Sequence, residues 1–492
     1  MPQYLMGIDL GTSSVKVLLI DSSGIILGVR ANSYEIQSRH PGWAEQDMDL
    51  LWEATASTIK ELLTGTGIDP IQIKGIGLSG QMHGLVLLNR ERQLIRPAII
   101  WIDQRSASYL EAMSRSEIYR QFQEITLNTP GTGFYVSSLL WLKEQEPENY
   151  RKIWKALLPK DYIRYRLCGK IGTEETDASG TLIFDTSKRL WARDLAERVG
   201  MDSQIFPDCY TSCETAGTVT LQCARATGLA AGTPVMFGGG DQPMQAVGNG
   251  IISPGTVCAN IGTGSQLSCV VDRPLFDKAY RTNTFCHVQG MWTIMGASLN
   301  GGISLNWLRD NFFQGNGYAS LNRYIDDVPA GSDGLIFLPY LAGERSPHMD
   351  SKARAIFFGL TLRHNYKHFA RAVMEGITFS LREAMEIFLE LGISCEKVVA
   401  SGGGAKSRSW LQIQADILGK EIYTSRCTQE ACLGAAIIAG VGAGVYSSLK
   451  EACDQLVLFK DEIVYPQDKN CQVYEEQFRK YRQLYPCNRS LF

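Results

Sequence analysis

Over the first hundred residues, short apolar runs alternate with turn-forming ones. "YLMGIDLG", "VKVLLID", "GIILGVR", "IKGIGLSG" and "PAIIW" have the length and the Ile, Leu and Val content of strands, whereas "DMDLLWEATASTIKELLTG" (47–65) repeats its apolar positions at helical spacing. Strands mixed with helices in this way predict a layered α/β fold. Further along, "TPVMF" (233–237) reads as a short buried strand that runs into Gly238, Gly239 and Gly240. "DQPMQAVG" then reads as a helix start, with Asp241 or Gln242 as the cap and Pro243 in the first turn, where a missing N–H costs nothing. A strand, a glycine turn and a helix are read again in "VVASGGGAKSRSWLQIQADILG" (398–419).

The apolar pattern also repeats at long range. "DLGTSSVKVLLID" (9–21) and "NIGTGSQLSCVVD" (260–272) align without a gap at an offset of 251 residues, close to half of the 492-residue chain. That offset predicts two related domains, 1–250 and 251–492, each opening with a glycine-turned hairpin. The length fits, since 492 residues exceed what one hydrophobic core usually holds.

Composition narrows the function classes. Apolar residues make up 45% and charged residues 20%, as in globular proteins, and a net charge of −3 gives no reason to expect a nucleic-acid or membrane partner. "MPQYLMGIDLGTS" enters a strand-like segment at once and has no signal-peptide pattern, so a cytoplasmic location is expected. Thirteen scattered cysteines without a C-x-x-C pair predict reduced thiols rather than disulfides or a zinc site.

Candidate chemistry centres on the glycine turns. "GTSS" (11–14) offers backbone N–H groups and hydroxyls in a tight space, which suits a polyphosphate, and "GTGS" (262–265) offers a second such turn. Either alone reads equally as an ordinary hairpin turn; together they could hold one nucleotide across a cleft. Gly402, Gly403 and Gly404 do not open a Walker A loop, because Lys406 follows Ala405 rather than glycine. They read as room for a flat base against the backbone. Asp9, two residues before Gly11, would repel a bound phosphate unless a cation lay between them. It therefore implies Mg²⁺ held through water, or else an aspartate ordering its own turn. For Asp241 the cap and a functional carboxylate both stay open, although a cap needs no glycine run and close approach of backbone to a ligand does.

Taken together, "GIDLGTSSVKVLLID" (7–21), "PGWAEQD" (41–47), "GLSGQMHG" (77–84), "PAIIWIDQR" (97–105), "GGGDQ" (238–242), "FLPYLAGERSPH" (337–348), "AIFFGLTLRHNYKHFARAVME" (355–375) and "SGGGAKS" (401–407) resemble the FGGY family of carbohydrate kinases, from about residue 5 to residue 440. The resemblance implies two actin-like, ribonuclease-H-like domains that close an interdomain cleft on MgATP and a sugar. It makes Asp241 the catalytic base and a second carboxylate near the metal, with Asp9 the metal-associated aspartate. Met82, His83 and Gln242 fall at sugar-contacting positions. Gly11, Thr12, Ser13, Lys16, Gly262, Thr263, Gly302, Asn306, Gly402, Gly403, Gly404 and Ser407 fall at or beside nucleotide-contacting ones.

"SGQMHG" is most similar to the branch of the family that phosphorylates D-xylulose. Another ketose, a polyol or a sugar acid stays open as substrate, and so does an ATP-driven binding protein of the actin and heat-shock superfamily. The sequence departs from the family at Ser138, where lysine is usual, and Gln242 with Met244 could reshape the sugar pocket. Oligomeric state is not specified, a homodimer being one outcome.

Overall fold

The first sheet is built on the hairpin that opens the chain. In the computed structural model, which describes residues 2–313 and 317–492, its strands are β1 (Tyr4–Leu10), β2 (Ser14–Asp21), β3 (Ile26–Ser33), β4 (Ile73–Gly80), β5 (Thr215–Thr218) and β6 (Pro234–Met236). They run in the order β5-β6-β4-β1-β2-β3, and Gly239–Gly240 pairs beside the end of β4. The second sheet contains β7 (Gly255–Ile261), β8 (Ser265–Val271), β9 (Asn283–Cys286), β10 (Trp292–Ser298), β11 (Cys395–Gly402) and β12 (Ile422–Thr424), in the order β9-β10-β8-β7-β11-β12.

Five strands match between the sheets. β1 is antiparallel to β2 and parallel to β4, and β7 is likewise antiparallel to β8 and parallel to β11. Outward from these, β2 pairs β3 and β8 pairs β10 antiparallel, while β4 pairs β6 and β11 pairs β12 parallel. The α/β expectation with two similarly built halves is met. One detail of the self-alignment is corrected. Asp9 lies opposite Lys16, but Asn260 lies opposite Gln266, so the second turn is one residue shorter and equivalent residues beyond it are 250 apart. Extended without a gap, the alignment would set Lys16 against buried Leu267, because a one-residue slip moves a strand side chain to the opposite face.

Helices cover both faces of the first sheet. α1 (Met48–Thr66) is capped by Asp47, which accepts the N–H groups of Asp49 and Leu50, and it lays Leu51, Ile59 and Leu62 against β2 and β3. α2 (Asp241–Gly248) leaves the glycine run, and α3 (Tyr366–Glu390) is the long buried helix of the second half. α4 (Glu430–Gly442) follows the strands of the second sheet in sequence but packs on β1 and β4 of the first, and on α2. Its small residues permit backbone contact: a Cβ on Gly7 would lie 1.9 Å from the Cys432 carbonyl oxygen, and one on Gly434 would lie 1.9 Å from that of Met244. Residue 250 thus separates the strands of the two sheets, while α4 crosses back over that division. Among the described residues no helix is long and apolar enough to cross a membrane.

Candidate active site

Two neighbouring cavities collect most of the expected residues. One, of about 440 Å³, is lined by Met82, His83, Asp241, Gln242, the turn Gly262 to Ser265, and Arg345. The other, of about 490 Å³, is lined by Gly262, Thr263, Gly302, Asn306, Gly403, Gly404 and Ser407. Gly262 and Thr263 line both, so a molecule reaching from one cavity into the other passes over this turn. Gly402 instead lines a smaller cavity of about 210 Å³ together with Gly403.

Asp9, Gly11, Thr12, Ser13 and Lys16 are not in the walls of these cavities but stand next to them. Trp101, which lines the first cavity, donates its indole N–H to Thr12 Oγ1 at 2.9 Å. Gln81 donates to Gln46 Oε1 at 2.7 Å, and Gln46 donates to the Thr12 carbonyl oxygen at 2.6 Å. The stretches "SGQMHG", "PGWAEQD" and "GTSS" are therefore tied side by side. Ser138 is buried in the helix Tyr135–Gln145 and lines none of these three cavities.

The capping expectation for Asp241 is corrected. Gly240 is the N-cap of α2 and Asp241 is its first helical residue, so the carboxylate caps nothing and faces the cavity. Burial and the like charge of Asp9 push its pKa up to about 7, against a smaller opposing pull from the Gln242 N–H. The glycine run is also explained differently. Gly238 has a φ of 78° and a Cβ there would lie 2.1 Å from the Leu78 carbonyl oxygen, while a Cβ on Gly240 would lie 2.7 Å from Met82 Cγ. What the backbone approaches closely is the chain itself, at the end of β4 and over Met82. Gly402 is similar, with a φ of 74° and Asn260 Oδ1 only 2.4 Å from where a Cβ would stand. Only Gly403 of that turn keeps ordinary clearance, with its nearest neighbour at 3.5 Å.

Asp9, the penultimate residue of β1, accepts the Ser79 hydroxyl at 2.7 Å, and burial raises its pKa while Ser79 and Lys16 pull it down. Two half-buried carboxylates that repel each other offer hard oxygens whose charge a divalent cation would neutralise. Among the described residues no cluster of three or more His, Cys, Asp or Glu side chains is placed to hold a metal. Asp9 and Asp241 would offer a cation two carboxylates and leave its other positions to water, which suits an ion that dehydrates as reluctantly as Mg²⁺.

His83 has a φ of 73° and sets Nδ1 2.7 Å from the Gly180 carbonyl oxygen. Burial, with Arg345 pushing the same way, lowers its pKa to about 4. The ring is neutral at pH 7, and since a carbonyl can only accept, Nδ1 carries the hydrogen and Nε2 is left as an acceptor. Phe134 and Phe285 flank it, with ring centroids at 4.2 and 5.8 Å. Gln242 accepts from Gln266 Nε2, which joins the two halves across the cavity. Asn306 accepts the Tyr318 hydroxyl. Ser407 caps the helix Arg408–Leu418 and donates to Asn322 Oδ1 at 2.8 Å, so its hydroxyl already serves the fold. Sequence reasoning passed over Trp101, Phe134, Gln266, Phe285 and Arg345 as individuals, although "PAIIWIDQR" and "FLPYLAGERSPH" contained two of them.

Comparison with known proteins identifies the family. The model of the FGGY family of carbohydrate kinases, N-terminal domain, matches residues 4–248, and that of the C-terminal domain matches 257–443. The xylulose kinase of Bacillus subtilis is 36% identical over 490 residues, covering 99% of this chain and 98% of its own. Two solved structures from Lactobacillus acidophilus, a ligand-bound xylulose kinase and a gluconate kinase, each superpose with a TM-score of 0.94 at 28% identity, covering 99% of this chain and 98% of theirs.

Proposed function

The chain belongs to the FGGY family of carbohydrate kinases, and on that footing we propose that it transfers the γ-phosphoryl group of ATP to the terminal hydroxyl of D-xylulose. The observation that carries this reading is the shared Gly262–Thr263 turn, with Asp241 and His83 in the cavity on one side and Gly403 and Asn306 in the cavity on the other. The nucleotide occupies the second cavity and runs its phosphates over the turn. The sugar lies in the first, where His83 Nε2 accepts one of its hydroxyls and Phe134 and Phe285 cover its C–H face.

Asp241 accepts the proton of the attacking hydroxyl as the new O–P bond forms and the bond from γ-phosphorus to the ADP oxygen breaks. Its elevated pKa suits a base working near neutrality, and the apolar walls keep water from competing as acceptor. Asp9 and Asp241 would hold Mg²⁺, which when bound would supply charge neutralisation for the phosphates. Gly11, Thr12, Ser13 and the second turn hold the phosphates in line, and positioning of this kind provides most of the acceleration.

The two domains are assigned to 1–250 and 251–492, with α4 bridging them. Thirteen unpaired thiols suit a reducing compartment, and the cytoplasm is the location assigned. A coupled assay of ADP release with xylulose, ribulose, glycerol and gluconate tests the substrate. Xylulose should give the highest kcat/KM, and a clearly higher value for any of the others would reassign the acceptor. Absence of sugar-stimulated ADP release would overturn the kinase reading itself.

A further inference from the structure

Beneath the loop that leads into Asp241 lies a buried charge cluster that the reaction above does not use. Lys160, Asp161, Glu174 and Asp177 have no exposed side-chain surface, and Lys160 Nζ lies 3.1, 3.6 and 3.5 Å from the three carboxylates. Lys160 also donates to the Phe237 carbonyl oxygen at 3.3 Å, at the start of the loop. Glu174 accepts the backbone N–H of Thr176 at 2.7 Å and of Asp177 at 2.9 Å, and the Thr176 hydroxyl at 3.0 Å. Thr176 Oγ1, its own hydrogen directed at Glu174, accepts the Gly240 N–H at 2.9 Å.

Both ends of the segment 237–240 are thus tied to one ion cluster, and the second tie falls on the residue directly before Asp241. We propose that Thr176 is a positioning residue for phosphoryl transfer, its hydroxyl relaying the fixed position of Glu174 to the Gly240 backbone and so to the Asp241 carboxylate. This rests on Asp241 being the base. Glycine at 239 and 240 leaves the loop without side chains of its own to fix it, and a Cβ on Gly239 would come within 3.1 Å of Thr176 Oγ1. The hydroxyl takes over that task. A threonine is suited to it because it can donate and accept at once, which valine of similar shape cannot.

The test compares Thr176→Val, Thr176→Ser and Asp241→Asn in steady-state kinetics with melting curves. Thr176→Val should lower kcat by about 10- to 100-fold, the scale of a small misplacement of a reacting group, with KM for sugar and ATP nearly unchanged. Thr176→Ser, which keeps the hydroxyl, should recover most of kcat. If Asp241→Asn is inactive while Thr176→Val turns over normally, the positioning role is wrong and the base survives. If Thr176→Ser is as slow as Thr176→Val, the hydroxyl is not the cause and the proposal falls. If Asp241→Asn stays active, the reading of the base fails first. Thr176→Ala replaces Thr176→Val should that variant not fold, and failure of both to fold would contradict the proposal by making the hydroxyl a requirement of the fold.

Discussion

Ser79 donates its hydroxyl to Asp9 Oδ1 across 2.7 Å, the two being register partners one residue before β1 and β4 end. The bond fixes one carboxylate oxygen, and the other is the one that would meet the proposed cation. Asp9→Asn keeps the hydrogen bond from Ser79 but removes the charge. The Mg²⁺ concentration for half-maximal activity should rise by about tenfold or more, with KM for the sugar little changed. A Mg²⁺ titration of initial rates checks this, and an unaltered half-maximum would remove Asp9 from the metal site.

The pH profile of kcat/KM reports Asp241 in the free enzyme. A base must be ionised to accept a proton, so with a pKa of about 7 the rate should be level above that pH and fall about tenfold per unit below it. The second contributor to the elevation is the Asp9 charge, which raises the pKa because ionising Asp241 beside it is unfavourable. Asp9→Asn removes that charge, so the acid limb should move to lower pH. A limb that stayed in place or moved upward would contradict the coupling.

Closure of the two halves is expected because the phosphate turns belong to different sheets, and α2 already bonds to the second sheet. Asn260 Nδ2 donates to Gln245 Oε1 at 3.1 Å, beside the Gln266–Gln242 contact. Small-angle scattering should show a smaller radius of gyration with xylulose and a non-hydrolysable ATP analogue than without them. An unchanged radius would count against a closing cleft.

Two glycines with left-handed backbones should respond very differently to alanine. Gly67 ends α1 with a φ of 64° and has nothing within 4 Å of a Cβ, so Gly67→Ala should cost only the conformational penalty, about 1–2 kcal/mol. Gly238→Ala adds a collision 2.1 Å from a backbone oxygen and should cost upwards of about 4 kcal/mol or prevent folding. Denaturant melts of the pair measure the difference.

Much of this was legible in the chain. The Gly-Thr hairpins, the helix α1, and the strand, glycine turn and helix of 395–418 are local features, set by periodicity and turn chemistry. Asp241 was conspicuous because three glycines precede it, although their reason proved to be packing against Leu78 and Met82. What stayed hidden depends on contacts distant in sequence. Thr176 meets Gly240 across 64 residues and Trp101 meets Thr12 across 89, and neither separation leaves a periodic signal. α4 reads as an ordinary apolar helix, and only the close backbone contacts at Gly7 and Gly434 reveal which sheet it covers. The one-residue difference between the hairpin turns was masked by an alignment that looked continuous.

The central claim is that Asp241 removes the proton from the sugar hydroxyl, and Asp241→Asn tests it most directly. Gly240 rather than Asp241 caps α2, and the carboxylate is half-buried near a like charge, so the substitution removes no N-cap and relieves a repulsion. Melting temperature should hold or rise slightly and nucleotide affinity should stay near wild type. The amide cannot accept the proton, and kcat with xylulose should fall by about 10²-fold or more. A variant that melts like wild type, binds ATP and still turns over at a near-normal rate would contradict the assignment of Asp241 as the base.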